Sequence, residues 1–289
     1  MKNLITILIF IFILLLIGRN LTFLPTFSLF STNAKNEKKN DELKIQIQKI
    51  IDKQKGSYSV YYADFNSGDS FGINERQMHT GASVNKLPII ATLYYLANKG
   101  DLNLDEKVTL QEEDIQDYGT GKLRYEDPGS IYSLRTLAML SLKESDNTAA
   151  YIIATKIGTD KIQKTIEGFG LTQTGMENNK TTVFDMFLLL KKIYRREIAK
   201  KALSEEFLGF LTDTETEDRL PLLMPKDVKV YHKTGDETGN IHDVGIIEKE
   251  NQSFYLGVMT SDIGNNENQT NAVIGKIAKT ILDYKTSKK

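Results

Sequence analysis

Apolar positions form one uninterrupted stretch near the start of the chain and become periodic only later. Leu4–Ile17 is apolar except for one Thr, and it follows the basic residue Lys2. The stretch is shorter than the ~20 residues that span a bilayer, but apolar character resumes in Leu21–Phe30. Such a stretch is typical of a signal peptide or a membrane anchor. We therefore expect residues 1–34 to form this segment with its linker, and the protein to be exported, either secreted or anchored at the outer face of the cell membrane.

After the polar run Asn33–Glu42, which we interpret as a linker, the periodicity predicts a helix and then a hairpin. Apolar residues at helical spacing from Leu43 to Ile51 indicate an amphipathic helix. Two strand-like segments follow, Ser57–Phe65 and a second near Phe71–Ile73, joined by turn residues. Helical periods then cover Leu87–Leu96, Ser133–Leu142, Thr148–Ile157, Lys161–Phe169 and Val183–Tyr194. The remaining predicted elements are the strands Val228–His232, Val244–Glu248 and Phe254–Thr260 and the helix Gln269–Tyr284.

This order of elements predicts an α+β fold. Both ends of the folded part contribute strands to one antiparallel sheet, on which the terminal helices pack, and an all-helical subdomain is inserted in the middle. We place the folded catalytic domain at 35–289, with the sheet-containing part at roughly 42–80 and 226–289 and the helical part at roughly 81–225.

Composition excludes several classes of function. The 289 residues include 37 Lys and Arg against 38 Asp and Glu, so the basic excess of a nucleic-acid-binding protein is missing. Cysteine is absent, which excludes thiol catalysis, disulfides and thiolate metal sites. With three scattered histidines we expect no metal and no cofactor. Among the histidines, we expect His232 and His242 to be structural and His79 to lie on a surface loop.

Three short motifs stand at predicted element boundaries, and each occurs once. They are Ser83-Val84-Asn85-Lys86, Ser145-Asp146-Asn147 and Lys233-Thr234-Gly235. Each has an ordinary structural interpretation by itself: a helix cap, a turn and a strand end. Ser83 and Lys86, however, stand three residues apart at a helix start, where the two side chains can touch and the helix dipole favours a developing negative charge. In combination and in this order, the motifs indicate an active site.

The three motifs make the chain resemble the class A β-lactamases and penicillin-binding proteins. In that superfamily the first serine attacks a β-lactam or peptide carbonyl and forms an acyl-enzyme. The resemblance implies Ser83 as nucleophile, Lys86 as the base that takes its proton, and Ser145 as the relay to the leaving amine. It further implies that Asn147 holds the substrate amide or Lys86, and that Lys233 provides the neighbouring cation.

The resemblance also implies that the third motif binds the end of the substrate that carries its carboxylate. Lys233 and Thr234 would hold the substrate carboxylate, and Gly235 would let the strand pass close to the ligand. The backbone N–H groups of Ser83 and Asp236 would form the oxyanion hole. We expect the partners to be a small β-lactam or a D-Ala-D-Ala peptide, with peptidoglycan as a further partner, contact with the membrane through the first segment, and a monomeric protein.

Two departures from the pattern affect the expected reaction. The E-x-x-L-N motif, whose glutamate activates the deacylating water in class A β-lactamases, is missing from the short segment Thr172–Lys180, and we do not transfer that role to Glu177. Asp236 and Glu237 place two acids next to the expected carboxylate site. We therefore expect β-lactam opening with a deacylation step that either is slow or uses another water-activating group. The alternatives are a D-Ala-D-Ala carboxypeptidase or transpeptidase, or a non-hydrolytic sensor of β-lactams or wall fragments.

Overall fold

The computed structural model describes the backbone of residues 29–287 and the side chains of residues 40–287. The helices are α1 (Leu29–Ile51), α2 (Lys86–Lys99), α3 (Leu134–Lys143), α4 (Asn147–Ile157), α5 (Thr159–Gly168), α6 (Val183–Tyr194), α7 (Lys201–Gly209) and α8 (Glu267–Thr286). The strands are β1 (Ser57–Asp64), β2 (Ser70–Ile73), β3 (His79–Thr80), β4 (Lys107–Thr109), β5 (Ile131–Ser133), β6 (Lys180–Thr181), β7 (Lys229–Glu237), β8 (Asn240–Lys249) and β9 (Gln252–Ser261). Short 3-10 turns lie at Ala82–Asn85, Glu112–Asp114 and Leu123–Tyr125.

The main sheet joins both ends of the folded part, which confirms the predicted fold. Its strand order is β2-β1-β9-β8-β7, and every neighbouring pair is antiparallel. The hairpin β1-β2 thus pairs with the last strand of the three-stranded unit β7-β8-β9. Strand β7 occupies one edge of the sheet, and the helices α2–α7 come from the chain between β2 and β7.

The sheet separates two apolar cores. On one face, α8 and the residues of α1 that belong to the same compact unit pack against strand side chains such as Leu256. On the other face, Val244 and Tyr255 pack against the helical part, including Leu87 of α2. Alternate residues of a strand point to opposite faces, so β8 and β9 supply both cores. Strand β7, which carries the third motif, likewise contributes Val230 to one core and Tyr231 to the other.

Several boundaries differ from the prediction. Residues 33–42, interpreted as a linker, are helical in the backbone of α1. Strand β7 extends to Glu237, because the residues beyond His232 continue their pairing with β8, so the third motif lies inside the strand. Helix α7 was not predicted. It buries Phe207 and Leu208 among polar neighbours, a short pattern that gives a weak helical period.

The chain divides into two compact units, Met1–Lys39 and Asn40–Lys289. Only the helical backbone of residues 29–39 is described in the first unit. The predicted signal or anchor stretch Leu4–Ile17 lies outside the described residues. Within residues 29–287, no helix combines the length and the apolar character that crossing a bilayer requires.

Candidate active site

Ser83 lies in the 3-10 turn that leads directly into α2. Pro88 stands in the first turn of this helix, where a missing N–H costs nothing. Ala82, the residue before the serine, has a φ of 45°, a left-handed conformation that is uncommon for alanine. This conformation is held from outside, because the N–H of Gly81 donates to the carbonyl of Asn179 at 2.7 Å. The turn therefore presents the half-buried Ser83 in a fixed position.

Lys86 contacts three of the polar side chains predicted for the site, those of Ser83, Ser145 and Asn147. Its Nζ lies 3.0 Å from the Ser83 hydroxyl, 3.3 Å from the Ser145 hydroxyl and 2.7 Å from Oδ1 of Asn147. It also donates to the backbone carbonyl of Ser145. Burial, and next the positive charge of Lys233, hold the pKa of Lys86 well below its usual range, while the Asp146 carboxylate opposes this shift. A lysine in this state can accept a proton from an adjacent hydroxyl.

Ser145 is held in an unusual backbone conformation between α3 and α4. Its φ is 54°, and its carbonyl accepts a hydrogen bond from the Thr120 hydroxyl at 2.8 Å. The next residue, Asp146, is 1% exposed and caps α4 by accepting the N–H of Ala149 at 2.9 Å. Its second oxygen accepts the N–H of Leu123, also at 2.9 Å. Asp146 thus fixes the corner from which Ser145 points to the lysines.

Lys233 approaches Ser145 from β7. Its Nζ lies 2.9 Å from the Ser145 hydroxyl and 3.1 Å from the carbonyl of Thr234. The side chain is 2% exposed, and burial lowers the pKa of Lys233 to about 8, against the opposing charges of Asp236 and Asp243. The structure therefore brings Ser83, Lys86, Ser145 and Lys233, the four predicted catalytic residues, into one hydrogen-bonded chain.

Strand β7 lies against the turn that carries the serine. A Cβ added to Gly235 would stand 3.1 Å from the carbonyl oxygen of Gly81 and 3.2 Å from the nitrogen of Val84. Such distances are tighter than most real Cβ contacts, so a side chain at this position would push the strand and the turn apart. The glycine of the third motif is therefore required for the close approach of the two backbones.

An open cleft of about 580 Å³ lies beside these residues. It contains Ser83, Asn147 and Thr234, so the predicted catalytic and binding side chains share one cavity. One wall is apolar or aromatic, and its residues are Ile89, Tyr118, Ala150, Tyr151, Ala154 and Met176. Acidic residues of the lining are Glu215, Asp236 and Glu237. The cleft thus has an apolar wall on the α2 and α4 side and an acidic rim at the end of β7.

The short segment before β6 supports the serine turn but brings no carboxylate into the cleft. Its backbone is fixed by Asp185, which accepts the N–H of Gln173 and the hydroxyl of Thr174, both at 2.8 Å. At the end of the segment, Asn179 accepts a hydrogen bond from the Asn85 amide at 2.6 Å. Glu177 is exposed and is not among the residues that line the cleft. This placement agrees with the expectation that Glu177 does not activate the deacylating water.

Arg219 is a site residue that the sequence motifs did not reveal. It lies outside the predicted elements, yet its side chain is 3% exposed and forms an ion pair with Asp236. Its Nε donates to Asn271 at 3.0 Å, and one Nη donates to the carbonyl of His242 at 2.8 Å. An isolated arginine in an irregular segment carries no sequence signal, because its partners are distant in the chain.

The histidines are all buried, so the expectation of a surface loop for His79 was wrong. His79 pairs through β3 with β6 and lies 2.8 Å from the Ser59 hydroxyl. His232 points away from the lysine beside it and contacts Asp243 at 2.9 Å. His242 lies 2.8 Å from the carbonyl of Thr80. Across the described part of the chain, no group of three or more metal-ligating side chains is arranged to hold an ion.

Comparisons with known proteins agree with this geometry. A sequence model of the β-lactamase enzyme family matches residues 42–285. The β-lactamase VEB-1 of Pseudomonas aeruginosa is 24% identical over 287 residues, which cover 90% of this chain and 96% of that protein. A β-lactamase of Bacillus subtilis is 23% identical over 262 residues, covering 83% of this chain and 82% of that protein.

Solved structures with the same fold include both β-lactamases and penicillin-binding proteins. PBP-A superposes with a TM-score of 0.79 at 26% identity and covers 86% of this chain and 96% of its own. A variant of PBP-A, with 25% identity and the same TM-score of 0.79, was solved as an acyl-enzyme with penicillin G, covering 86% of this chain and 97% of its own. The extended-spectrum β-lactamase TLA-1 has a TM-score of 0.79 at 25% identity, covering 85% of this chain and 98% of its own.

Proposed function

This chain belongs to the β-lactamase enzyme family, and we propose that it is an exported serine hydrolase that opens β-lactams through an acyl-enzyme and releases the acyl group slowly. The observation that carries the proposal is the distance of 3.0 Å between the Ser83 hydroxyl and the buried Lys86 amine. An amine with a lowered pKa next to a hydroxyl at a helix start is a suitable activator of a serine nucleophile. The class of reaction is acyl transfer to serine.

In the proposed acylation, neutral Lys86 takes the proton of the Ser83 hydroxyl while the oxygen attacks the lactam carbonyl. The backbone N–H groups of Ser83 and Asp236 stabilise the oxyanion, as the close approach of Gly235 to the serine turn supports. The C–N bond of the lactam then breaks, and Ser145 donates its proton to the leaving nitrogen. Lys86, 3.3 Å from Ser145, returns the proton that it took and so restores the hydroxyl.

Slow release follows from the position of the carboxylates. Hydrolysis of the acyl-enzyme requires a water and a base that takes its proton. In the described part of the chain, the acidic residues that line the cleft are Glu215, Asp236 and Glu237, and all three lie on the β7 side or in the irregular segment before it. The wall formed by α4 and Met176 contributes apolar side chains and the amide of Asn147. The acyl group would therefore remain on Ser83 for longer than in an enzyme with a carboxylate on that wall.

The second candidate is a D-Ala-D-Ala carboxypeptidase or transpeptidase that acts on peptidoglycan. The resemblance to PBP-A, a structure as similar as those of the β-lactamases, favours it. The same four side chains would serve this reaction, because the intermediate is again an ester of Ser83. Release of D-alanine from a D-Ala-D-Ala peptide would support this candidate, whereas turnover of a cephalosporin without release of D-alanine would support the first.

The decisive test is the intact mass of residues 35–289 over time after mixing with benzylpenicillin. We expect a stoichiometric mass increase that persists for hours, and no increase in the Ser83→Ala variant, whose fold is checked by circular dichroism. Labelling of the Ser83→Ala protein would contradict the assignment of the nucleophile. Rapid decay of the adduct would contradict slow release and indicate an efficient β-lactamase.

Export is supported by the apolar stretch Leu4–Ile17 and its preceding Lys2. We propose that this stretch directs the folded part to the outer face of the cell membrane, where peptidoglycan and antibiotics are accessible. Fractionation of cells that express the full chain tests this point. Recovery of the protein in the cytoplasmic fraction would contradict it.

A further inference from the structure

The guanidinium of Arg219 is buried close to the substrate end of the cleft, and its donors are already engaged. Nε donates to Asn271 and lies 3.5 Å from a carboxylate oxygen of Asp218. One Nη donates to the carbonyls of His242 and, at 3.5 Å, Gly235, and the other Nη forms the ion pair with Asp236. The arginine itself is not among the residues that line the cleft. Among these partners, Asp236 is the one that lines the cleft, so a substrate in the cleft would approach this positive charge at Asp236.

Asp236 connects the buried arginine to the open cleft. Its side chain is 53% exposed, and it lines the cleft two residues after Thr234. Because residues two apart in a strand share a face, Asp236 and Thr234 point to the same side of β7. A substrate carboxylate bound at Thr234 would thus lie next to the Asp236 carboxylate.

The side chains that line this end of the cleft are mainly acidic. Among the cleft-lining residues of the described part, Lys86 is the only basic one, against Glu215, Asp236 and Glu237. Lys233, which is not in the lining, is committed to Ser145 and Thr234. Like charges that share a site disfavour each other, so a carboxylate bound at Thr234 is repelled by Asp236 and finds Arg219 already paired.

We propose that Asp236 acts as a charge-selecting residue, so that the enzyme acylates fastest with substrates whose group at the Thr234 end is neutral or cationic. The Asp236 carboxylate already pairs with the Arg219 guanidinium, with which a substrate carboxylate could otherwise pair. An ester, an amide or an ammonium group avoids the repulsion, and an ammonium group gains from the acidic rim. This inference rests on the proposed acylation of Ser83 and specifies the substrate class of that site.

The test compares a chromogenic cephalosporin that carries its free carboxylate with the methyl ester of the same compound. The measured quantity is the ratio of their second-order acylation rate constants, acid over ester, in which general effects of a substitution cancel. Asp236→Asn removes the negative charge, keeps the shape and leaves the backbone N–H in place. We expect this variant to raise the acid-to-ester ratio about tenfold, the scale of one unit charge at short range in a partly exposed site.

Glu237→Gln is the matched control, because it removes a carboxylate from the neighbouring position of the same strand without touching the arginine. Glu237 accepts a hydrogen bond from Asn240 at the turn. Because an exposed charge is screened by solvent, we expect Glu237→Gln to change the acid-to-ester ratio by less than about threefold. Asp236→Ser is a second variant in case the asparagine disturbs folding, which a thermal melt reports.

The outcomes separate the inference from the function on which it rests. An unchanged ratio in folded Asp236→Asn and Asp236→Ser proteins would overturn the charge selection. Equal increases in the Asp236 and Glu237 variants would also overturn it, because they would reflect the overall charge of the rim. Failure of both compounds to acylate Ser83 in the unmodified enzyme would instead contradict the proposed function.

Discussion

Replacing Asp146 with asparagine separates the structural role of this residue from its electrostatic effect on the catalytic lysine. The carboxylate is buried and holds two backbone N–H groups, those of Ala149 and Leu123. It also lies near Lys86 and raises the pKa of that lysine, against the larger effects of burial and Lys233. Asp146→Asn preserves the size of the side chain and removes its charge. Both stability and pH dependence should therefore change.

The expected loss of stability follows from the two hydrogen bonds. Asparagine can still accept the N–H of Ala149 through Oδ1, but it turns an NH₂ group toward the N–H of Leu123. A hydrogen bond to a charged group contributes about 1.5–3 kcal/mol, and a buried donor without a partner costs about 1–3 kcal/mol. We expect a total loss near 3 kcal/mol, equivalent to a decrease in melting temperature of roughly 6–12 °C for a domain of this size.

The pH dependence has a definite sign. Lys86 activates Ser83 in its neutral form, and removal of the nearby negative charge lowers the pKa of Lys86 further. The acidic limb of the acylation rate against pH should therefore move to lower pH in Asp146→Asn. The measurements are urea denaturation and the rate of benzylpenicillin labelling across the pH range. Because the labelling rate is read from folded protein, the two effects are separable.

Asp160→Asn is the matched control, because Asp160 is an exposed carboxylate in the first turn of α5. We expect it to cost less than about 1 kcal/mol, the scale of a helix-dipole interaction, and to leave the pH profile in place. A stability loss in Asp146→Asn as small as in the control would refute the hydrogen-bond reasoning. A shift of the acidic limb to higher pH would refute the electrostatic reasoning.

Two further predictions concern His232 and Gly235. The carboxylates of Asp243 and Glu217 outweigh burial and raise the pKa of His232 from 6.5 to about 9, so its stabilisation is complete below about pH 6.5 and is lost as pH rises through 9. This difference corresponds to roughly 3 kcal/mol. In His232→Gln the free energy of unfolding should no longer decline between pH 6.5 and 9. An unaltered decline in that variant would show that another group causes the pH dependence. Gly235→Ala should lower the acylation rate about tenfold or more, because the added methyl group separates β7 from the serine turn. Gly168→Ala is the control, because a Cβ at Gly168 would meet open space, and it should leave the rate unchanged. Equal rates in the two variants would contradict the close-approach argument.

The sequence motifs were sufficient to predict the main side chains of the site. Ser83 and Lys86 are neighbours in the sequence, so their contact depends on one local turn. The contact of Lys233 with Ser145 joins residues far apart in the chain, and only the resemblance to a known superfamily linked them. The sheet was predictable from local patterns, because alternating and helical apolar periods set which ends of the chain carry strands and helices.

The features that were missed depend on tertiary contacts rather than on local pattern. Arg219 is identified by its burial against Asn271 and Asp236, which no periodicity in an irregular segment can indicate. His79 is buried because β3 pairs with β6, a two-residue ladder too short to leave a strand signal. The end of β7 was placed too early, because Thr234 and Gly235 have the composition of a turn while the register with β8 continues past them.

The convergence of two lysines on Ser145 gives the proposed reaction its direction. A hydroxyl has one proton and two acceptor sites, and the Ser145 oxygen lies within 3.3 Å of Lys86 Nζ and 2.9 Å of Lys233 Nζ. While Lys233 is charged, its repulsion favours a neutral Lys86, ready to take the proton of Ser83. Once Lys86 has accepted that proton, two ammonium groups face one hydroxyl in a buried site, which favours passing a proton through Ser145 to the leaving nitrogen. The repulsion that activates the base thus also promotes delivery of the proton to the leaving group.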